Sequence, residues 1–162
     1  MTSSYFTARP AVSSDAASIA HVHHTSWQES YAHHPELLAS RTLAQRQAQW
    51  SQSLTHGFPQ PGTICFVADS PSGIIGFILH GPNQHATEVY SLYVLDAHHG
   101  TGAAQALMRT IETEGPRTVW LLEDNLRAMA FYQKMGYELV EGRDGSQVDP
   151  RNGLVVVKMV SL

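Results

Sequence analysis

Apolar residues recur along this chain in two rhythms, a helical one in its first third and a mostly strand-like one after residue 62. Tyr5 to Arg9 reads as a short strand stopped at Pro10, after which Ser13, Ser14 and Asp15 offer side-chain oxygens to cap a helix. Ala16, Ile19, Ala20, His23 and Trp27 then fall on one helical face. Thr42 followed three residues on by Gln45 is a capping-box pattern, and it predicts a second helix with Leu43, Trp50 and Leu54 as its apolar members. The polar stretch from Tyr31 to Pro35 is read as their connection.

Beyond residue 62, Thr63 to Ala68 and Ile74 to Leu79 are short apolar runs separated by Asp69-Ser70-Pro71-Ser72-Gly73, which predicts a hairpin. A third strand, Thr87 to Leu95, follows a loop at Gly81-Pro82-Asn83. Ala103, Ala104, Leu107, Met108 and Ile111 share a helical face, and that helix is expected to end at Gly115-Pro116. Thr118 to Leu122 is strand-like. Asp124 or Asn125 then caps a helix carrying Ala128, Phe131, Tyr132 and Met135, with Gly136 as its left-handed stop. Tyr137 to Val140 and Leu154 to Val160 form two final strands around a polar excursion from Glu141 to Gly153. There is no internal repeat or linker, so the expectation is a single α+β domain over residues 1–162 with a largely antiparallel sheet.

Composition narrows the function classes. A net charge of −4 without any run of Lys or Arg leaves no footprint for nucleic acid. No apolar stretch approaches the length of a membrane span, and Met1-Thr2-Ser3-Ser4 leads into a mixed segment rather than a secretory core, so a soluble cytoplasmic protein is expected. Cys65, the single cysteine, lies in an apolar run and is assigned no chemistry. The ten histidines include His21, His23, His24, His33, His34, His98 and His99, but their spacing completes no tetrahedral ligand set, so no metal is expected.

Two constellations carry chemistry. The first is a strand, Ser91 to Leu95, running into His99-Gly100-Thr101-Gly102-Ala103-Ala104 and a helix; small residues let a ligand approach the backbone, and the N–H groups of a helix start suit a pyrophosphate. Taken alone this is equally the pattern of a tight turn, with neither a Walker lysine nor the three-glycine dinucleotide fingerprint. The second is Asn125-x-x-Ala128-x-x-Phe131-Tyr132-x-x-x-Gly136-Tyr137, which alone reads as a capped amphipathic helix.

In this order, with a strand between them, the two motifs resemble the GNAT superfamily of acetyl-CoA-dependent N-acetyltransferases. The resemblance implies a GNAT-like mixed, mainly antiparallel twisted sheet of about six to seven strands flanked by about four helices. It departs from the family pattern at His99, where Arg or Gln is usual, and weaker cofactor affinity is the expected consequence.

The resemblance further implies the cosubstrate acetyl-CoA. Its pyrophosphate would lie on residues His99, Gly100, Thr101, Gly102, Ala103 and Ala104, its pantetheine arm against the backbone of Tyr93, Val94 and Leu95 and against Asn125, with Phe131 and Tyr132 completing the set. Tyr132 would give a proton to the departing thiolate, and Glu88 stands where the family carries a carboxylate base, although a solvated carboxylate is the alternative there. Tyr90 shares Glu88's face of the strand, and Glu123 precedes the Asn125 cap as a candidate helix-dipole partner.

The acceptor end, by resemblance, involves the first two helices and their connection, with Trp27, Glu29, Tyr31 and His33, together with the loop after Gly142, set beside a core-face reading of Trp27 and a solvated-charge reading of Glu29. The function expected is transfer of acetyl to a primary amine of a small molecule or peptide by direct attack. A silent acetyl-CoA-binding sensor and a partner-binding α+β domain are the competing classes. A homodimer is expected by analogy with the fold class.

Overall fold

The computed structural model describes residues 5–162, so the leader-segment expectation at Met1 to Ser4 lies outside the described residues. The fold is α+β. Its eight-stranded sheet has the order β1-β2-β3-β4-β5-β8-β6, with β7 pairing to β8. The strands are β1 (Thr7–Pro10), β2 (Ile64–Ser70), β3 (Gly73–Asn83), β4 (Ala86–Val94), β5 (Arg117–Leu122), β6 (Glu138–Leu139), β7 (Ser146–Val148) and β8 (Val155–Ser161). The helices are α1 (Ala16–Ser30), α2 (Pro35–Ala39), α3 (Leu43–His56), α4 (Ala103–Met108) and α5 (Leu126–Lys134). Among the described residues no helix is long and apolar enough to cross a membrane.

The chain divides into two compact units, one comprising the chain up to Gly81 with Ser91–Glu112, the other Pro82–Tyr90 with Thr113–Leu162. In the first, β1 and β3 flank β2 in antiparallel register, with Arg9 opposite Val67 and Val67 opposite Phe77. The helical face of α1 supplies Ala16, Ile19 and Ala20 to a core with Val22, Trp50, Cys65, Val67 and Phe77. Ile19 is fully buried, which stabilises the fold by about 2 kcal/mol. Thr42 and Gln45 form the reciprocal capping box of α3: Gln45 N–H donates to Thr42 Oγ1 at 3.1 Å and Thr42 N–H to Gln45 Oε1 at 2.8 Å. Gly76 admits no side chain, since a Cβ there would lie 2.8 Å from the Tyr93 carbonyl oxygen. This glycine is what lets β4 lie so close at Tyr93.

In the second unit β4 runs parallel to β5 over Thr87–Val89, while β5, β6 and β7 all pair antiparallel with β8. Asn125 caps α5 through Oδ1, which accepts from Ala128 N–H at 3.2 Å, and Gly136 at φ 93° ends it.

Among the described residues the sheet has eight strands and there are five helices, in keeping with the mixed, mainly antiparallel class expected. Three finer expectations need correction. The Tyr31-to-Pro35 connection leads into a short helix, α2, begun by Pro35 at its first turn. The Gly81-Pro82-Asn83 loop belongs to β3, and the turn sits at Gln84-His85. Finally, α4 ends at Met108 rather than at Gly115, because Thr110 Oγ1 donates to the Leu107 carbonyl at 2.6 Å and Ile111 N–H to that of Met108 at 3.2 Å, closing the last turn.

Candidate functional site

In the first unit β4 ends at Val94, and the chain passes through a 3-10 turn, Asp96–His98, before α4. Gly100 and Gly102 both take left-handed backbone, φ 80° and 87°, and no atom lies within 4 Å of where a Cβ would stand on either. Side chains are thus withheld from an open face of the turn. The first α-type bond of α4 runs from Ala106 N–H to Gly102 O at 3.0 Å, so the N–H groups of Ala103 and Ala104 precede the hydrogen-bonded ladder. Donors on a side-chain-free surface fit an anionic group such as a pyrophosphate.

His99 does not extend from this turn. Its Nε2 donates to the Val94 carbonyl at 2.7 Å, and Nδ1 lies 3.3 Å from Asp96 Oδ1. Thr101 Oγ1 donates to His98 O at 2.7 Å, tightening the same turn. Of the backbone groups assigned at Tyr93, Val94 and Leu95, the Leu95 N–H already donates to Ile75 O at 3.0 Å, and Val94 O accepts from His99.

The second unit holds Glu88, Tyr90, Asn125, Phe131 and Tyr132. Glu88 is half-buried, opposite Thr118 in the parallel pair, and its Oε1 accepts from Asn83 Nδ2 at 2.6 Å. Tyr90 donates its hydroxyl to Pro82 O at 3.0 Å, and burial, aided by Glu88, pushes its phenol up. On α5 the buried Tyr132 packs edge-on to Phe131 and against Tyr137, with centroids 5.2 and 5.3 Å away. Glu123 is exposed and lies two residues before the Asn125 cap.

The acceptor-end candidates separate. Trp27 and Tyr31 meet, at 5.5 Å between ring centroids, and both reach the Tyr93 hydroxyl, Trp27 Nε1–H donating at 3.0 Å and Tyr31 Oη lying 3.3 Å away. Burial holds the Tyr93 phenol well above its ordinary range. Glu29 instead accepts from Asp96 N–H at 3.1 Å, so it anchors the turn after β4 and is not part of this cluster. His33 is exposed and lies against His34 in a tilted arrangement, with ring centroids 4.1 Å apart.

Sequence reasoning missed the residue at the centre of that cluster. Arg46 of α3 is 3% exposed, and its guanidinium lies 4.2 Å from the centroid of Trp27. Its Nη1 is within 3.0 Å of His23 Nδ1, which also accepts from Trp50 Nε1–H at 3.1 Å. Burial, reinforced by Arg46, drives His23 down to about 3, so the imidazole is neutral at physiological pH. Burial likewise lowers Arg46 to about 10, still protonated. The signal was present in the spacing: Arg46 is three residues after Leu43 and four before Trp50, on the apolar face of α3.

Comparison with known proteins places these parts in context. Residues 61–139 match the acetyltransferase (GNAT) domain family. An uncharacterized N-acetyltransferase of Mycobacterium tuberculosis is 33% identical over 114 residues, covering 65% of this chain and 70% of that protein. The PaiA N-acetyltransferase of Thermoplasma acidophilum, solved with coenzyme A, has the same fold, with a TM-score of 0.73 at 16% identity over 96% of this chain and 98% of that one. A ribosomal-protein-alanine N-acetyltransferase from Brucella melitensis superposes with a TM-score of 0.70 at 18% identity, over 96% and 99% of the two chains.

Proposed function

This chain belongs to the GNAT family of N-acetyltransferases, and on that premise we propose that it transfers acetyl from acetyl-CoA to a primary amine of a small molecule or peptide by direct attack. The observation that carries the proposal is the turn at residues 99–104, where two left-handed glycines open onto free space beside the start of α4. Backbone N–H groups there would hold the pyrophosphate, and Asn125, Phe131 and Tyr132 would hold the pantetheine end. His99, tied to the Val94 carbonyl, contributes by shaping the turn rather than by contacting phosphate.

When bound, acetyl-CoA supplies an acetyl group activated as a thioester. An alkylammonium has a pKa of about 10 and must lose a proton before its nitrogen attacks a carbonyl. Glu88 is assigned to take that proton: its Oε1 is held by Asn83, which leaves Oε2 for the acceptor or for a water relaying to it. Tyr90, fixed to Pro82 O, lines the same strand face. Tyr132 Oη is assigned to hold the proton that the leaving thiolate requires, and its ring is fixed by Phe131 and Tyr137. Trp27, half-buried, and the buried Tyr31 behind it are assigned to the acceptor end.

The test is an amine screen that reads thiol release from acetyl-CoA. Tyr132→Phe is expected to lower kcat by roughly 100-fold while leaving the fold intact. Unchanged turnover in that variant removes Tyr132 from the chemistry, and absence of turnover with every amine class favours the sensor reading.

A further inference from the structure

Arg46 carries a charge that the fold does not answer. Among the described residues its Nε and Nη2 have no hydrogen-bond partner, although both atoms are buried. Among the described residues the guanidinium's hydrogen-bonding contact is with His23, and the Tyr93 phenol is near enough to favour its charge. Because Trp50 Nε1–H can only donate, His23 Nδ1 must be the accepting nitrogen, and the neutral ring then carries its proton on Nε2. Nη1 lies 3.0 Å from Nδ1, whose one lone pair it shares with Trp50, and 2.9 Å from Nε2, which once protonated cannot accept from it, and a stack on Trp27 is the guanidinium's other stabilising contact. Neither cancels a full positive charge in an apolar setting.

Nε–H and one N–H of Nη2 lie on the same edge of a guanidinium, the edge that matches the two oxygens of a carboxylate. Around that group His23, Trp27 and Tyr93 are half-buried rather than sealed, whereas Nε and Nη2 are themselves buried, so a small anion reaches them only as these aromatic walls part. Trp27 and Tyr93 also belong to the cluster with Tyr31 in which the acceptor was placed. We propose that the acceptor is an amine that also carries a carboxylate, a free amino acid or close analogue, held through that carboxylate by the Nε and Nη2 of Arg46. This rests on the acetyltransferase reading for the word acceptor; the carboxylate site itself does not depend on it. With Arg46 only 3% exposed, the carboxylate must sit at the end of a slim molecule, which favours a free amino acid over a folded protein surface.

The experiment uses pairs of probes that differ only in the carboxylate: phenylalanine with phenethylamine, leucine with isoamylamine, lysine with cadaverine. Each is titrated into the full-length protein, with and without coenzyme A, while the indole N–H resonances of Trp27 and Trp50 are followed by NMR. At least one amino acid is expected to shift both resonances and to bind about tenfold or more tightly than its decarboxylated partner, as a charge-assisted pair requires. Arg46→Met should abolish that preference, and Arg46→Lys, which lacks the fork, should lose most of it; dispersion of the indole resonances reports whether each variant is folded. The proposal is overturned if no amino acid shifts these resonances at millimolar concentration, if the members of each pair bind alike, or if folded Arg46→Met keeps the preference. Calorimetry with acetyl-CoA on the same samples separates the two ideas: a carboxylate preference without acetyl-CoA binding retains the site and removes the acetyltransferase reading, and the converse removes the site alone.

Discussion

Arg9 and Arg46 lie in the same compact unit and meet opposite circumstances. Arg9 on β1 is held on two sides by carboxylates, donating to Asp15 at 2.8 Å and to Asp69 at 3.0 Å, and these bonds raise its own protonation affinity while lowering that of Asp15. It ties β1 to the entry of α1 and to β2, and its charge is answered. Arg46 on α3 is more deeply buried and faces an imidazole, an indole and a phenol, with no carboxylate bond to it among the described residues. The contrast separates an arginine that completes the fold from one that the fold leaves poised, and a charge left poised in an aromatic setting is what recognition of an anionic ligand needs.

The largest difference should appear on truncation. Arg9→Met strands the largely buried Asp15 carboxylate and is expected to destabilise by about 2 kcal/mol, below the range for a fully buried pair because Arg9 is 32% exposed. Arg46→Met removes an unanswered charge and keeps the apolar stem, so its effect on the ligand-free protein should stay within about 1 kcal/mol of zero. Urea unfolding of the two variants checks the pair, and equal large losses would mean that Arg46 is as structural as Arg9.

Acid should then sort the two regions by pH. His23 falls from its ordinary 6.5 to about 3, so as pH drops through that window the unfolded chain takes up a proton that the folded chain refuses, and stability declines. Asp15 lies below its ordinary 3.8, so its contribution is complete above that value and is lost only as pH falls through its lower folded pKa. His23→Gln should flatten the limb between pH 6.5 and 3, whereas Asp15→Asn should act on the limb below 3.8. Unfolding midpoints measured from pH 7 to 2.5 resolve the two, and coincident limbs would contradict the assignment.

Much of the fold was legible because each signal was local. The Thr42–Gln45 box, the Asn125 cap and the Gly136 stop each concern groups within four residues of one another, and each formed as read. What escaped depends on distant partners. β7 is three exposed residues with no hydrophobic alternation, and it exists because its backbone pairs with β8. The tail of α4 failed because Thr110, a helix-weakening residue, turns its hydroxyl onto the Leu107 carbonyl, a competition that apolar spacing does not register. At the site, the glycine turn and the α5 motif could be read from residue order, but Arg46 could not be read as chemistry: its polar side chain on an apolar face acquires meaning only once His23 and Trp27 of α1 are seen beside it.

The central claim, that this chain uses acetyl-CoA, is tested most directly by calorimetric titration of acetyl-CoA into the wild-type protein and into Gly102→Trp, which places a bulky side chain on the open face of the turn at φ 87°. Circular dichroism of the variant verifies its fold. Saturable binding by the wild type that is lost in the folded variant is the predicted result. No binding by the wild type at high ligand concentration would contradict the account.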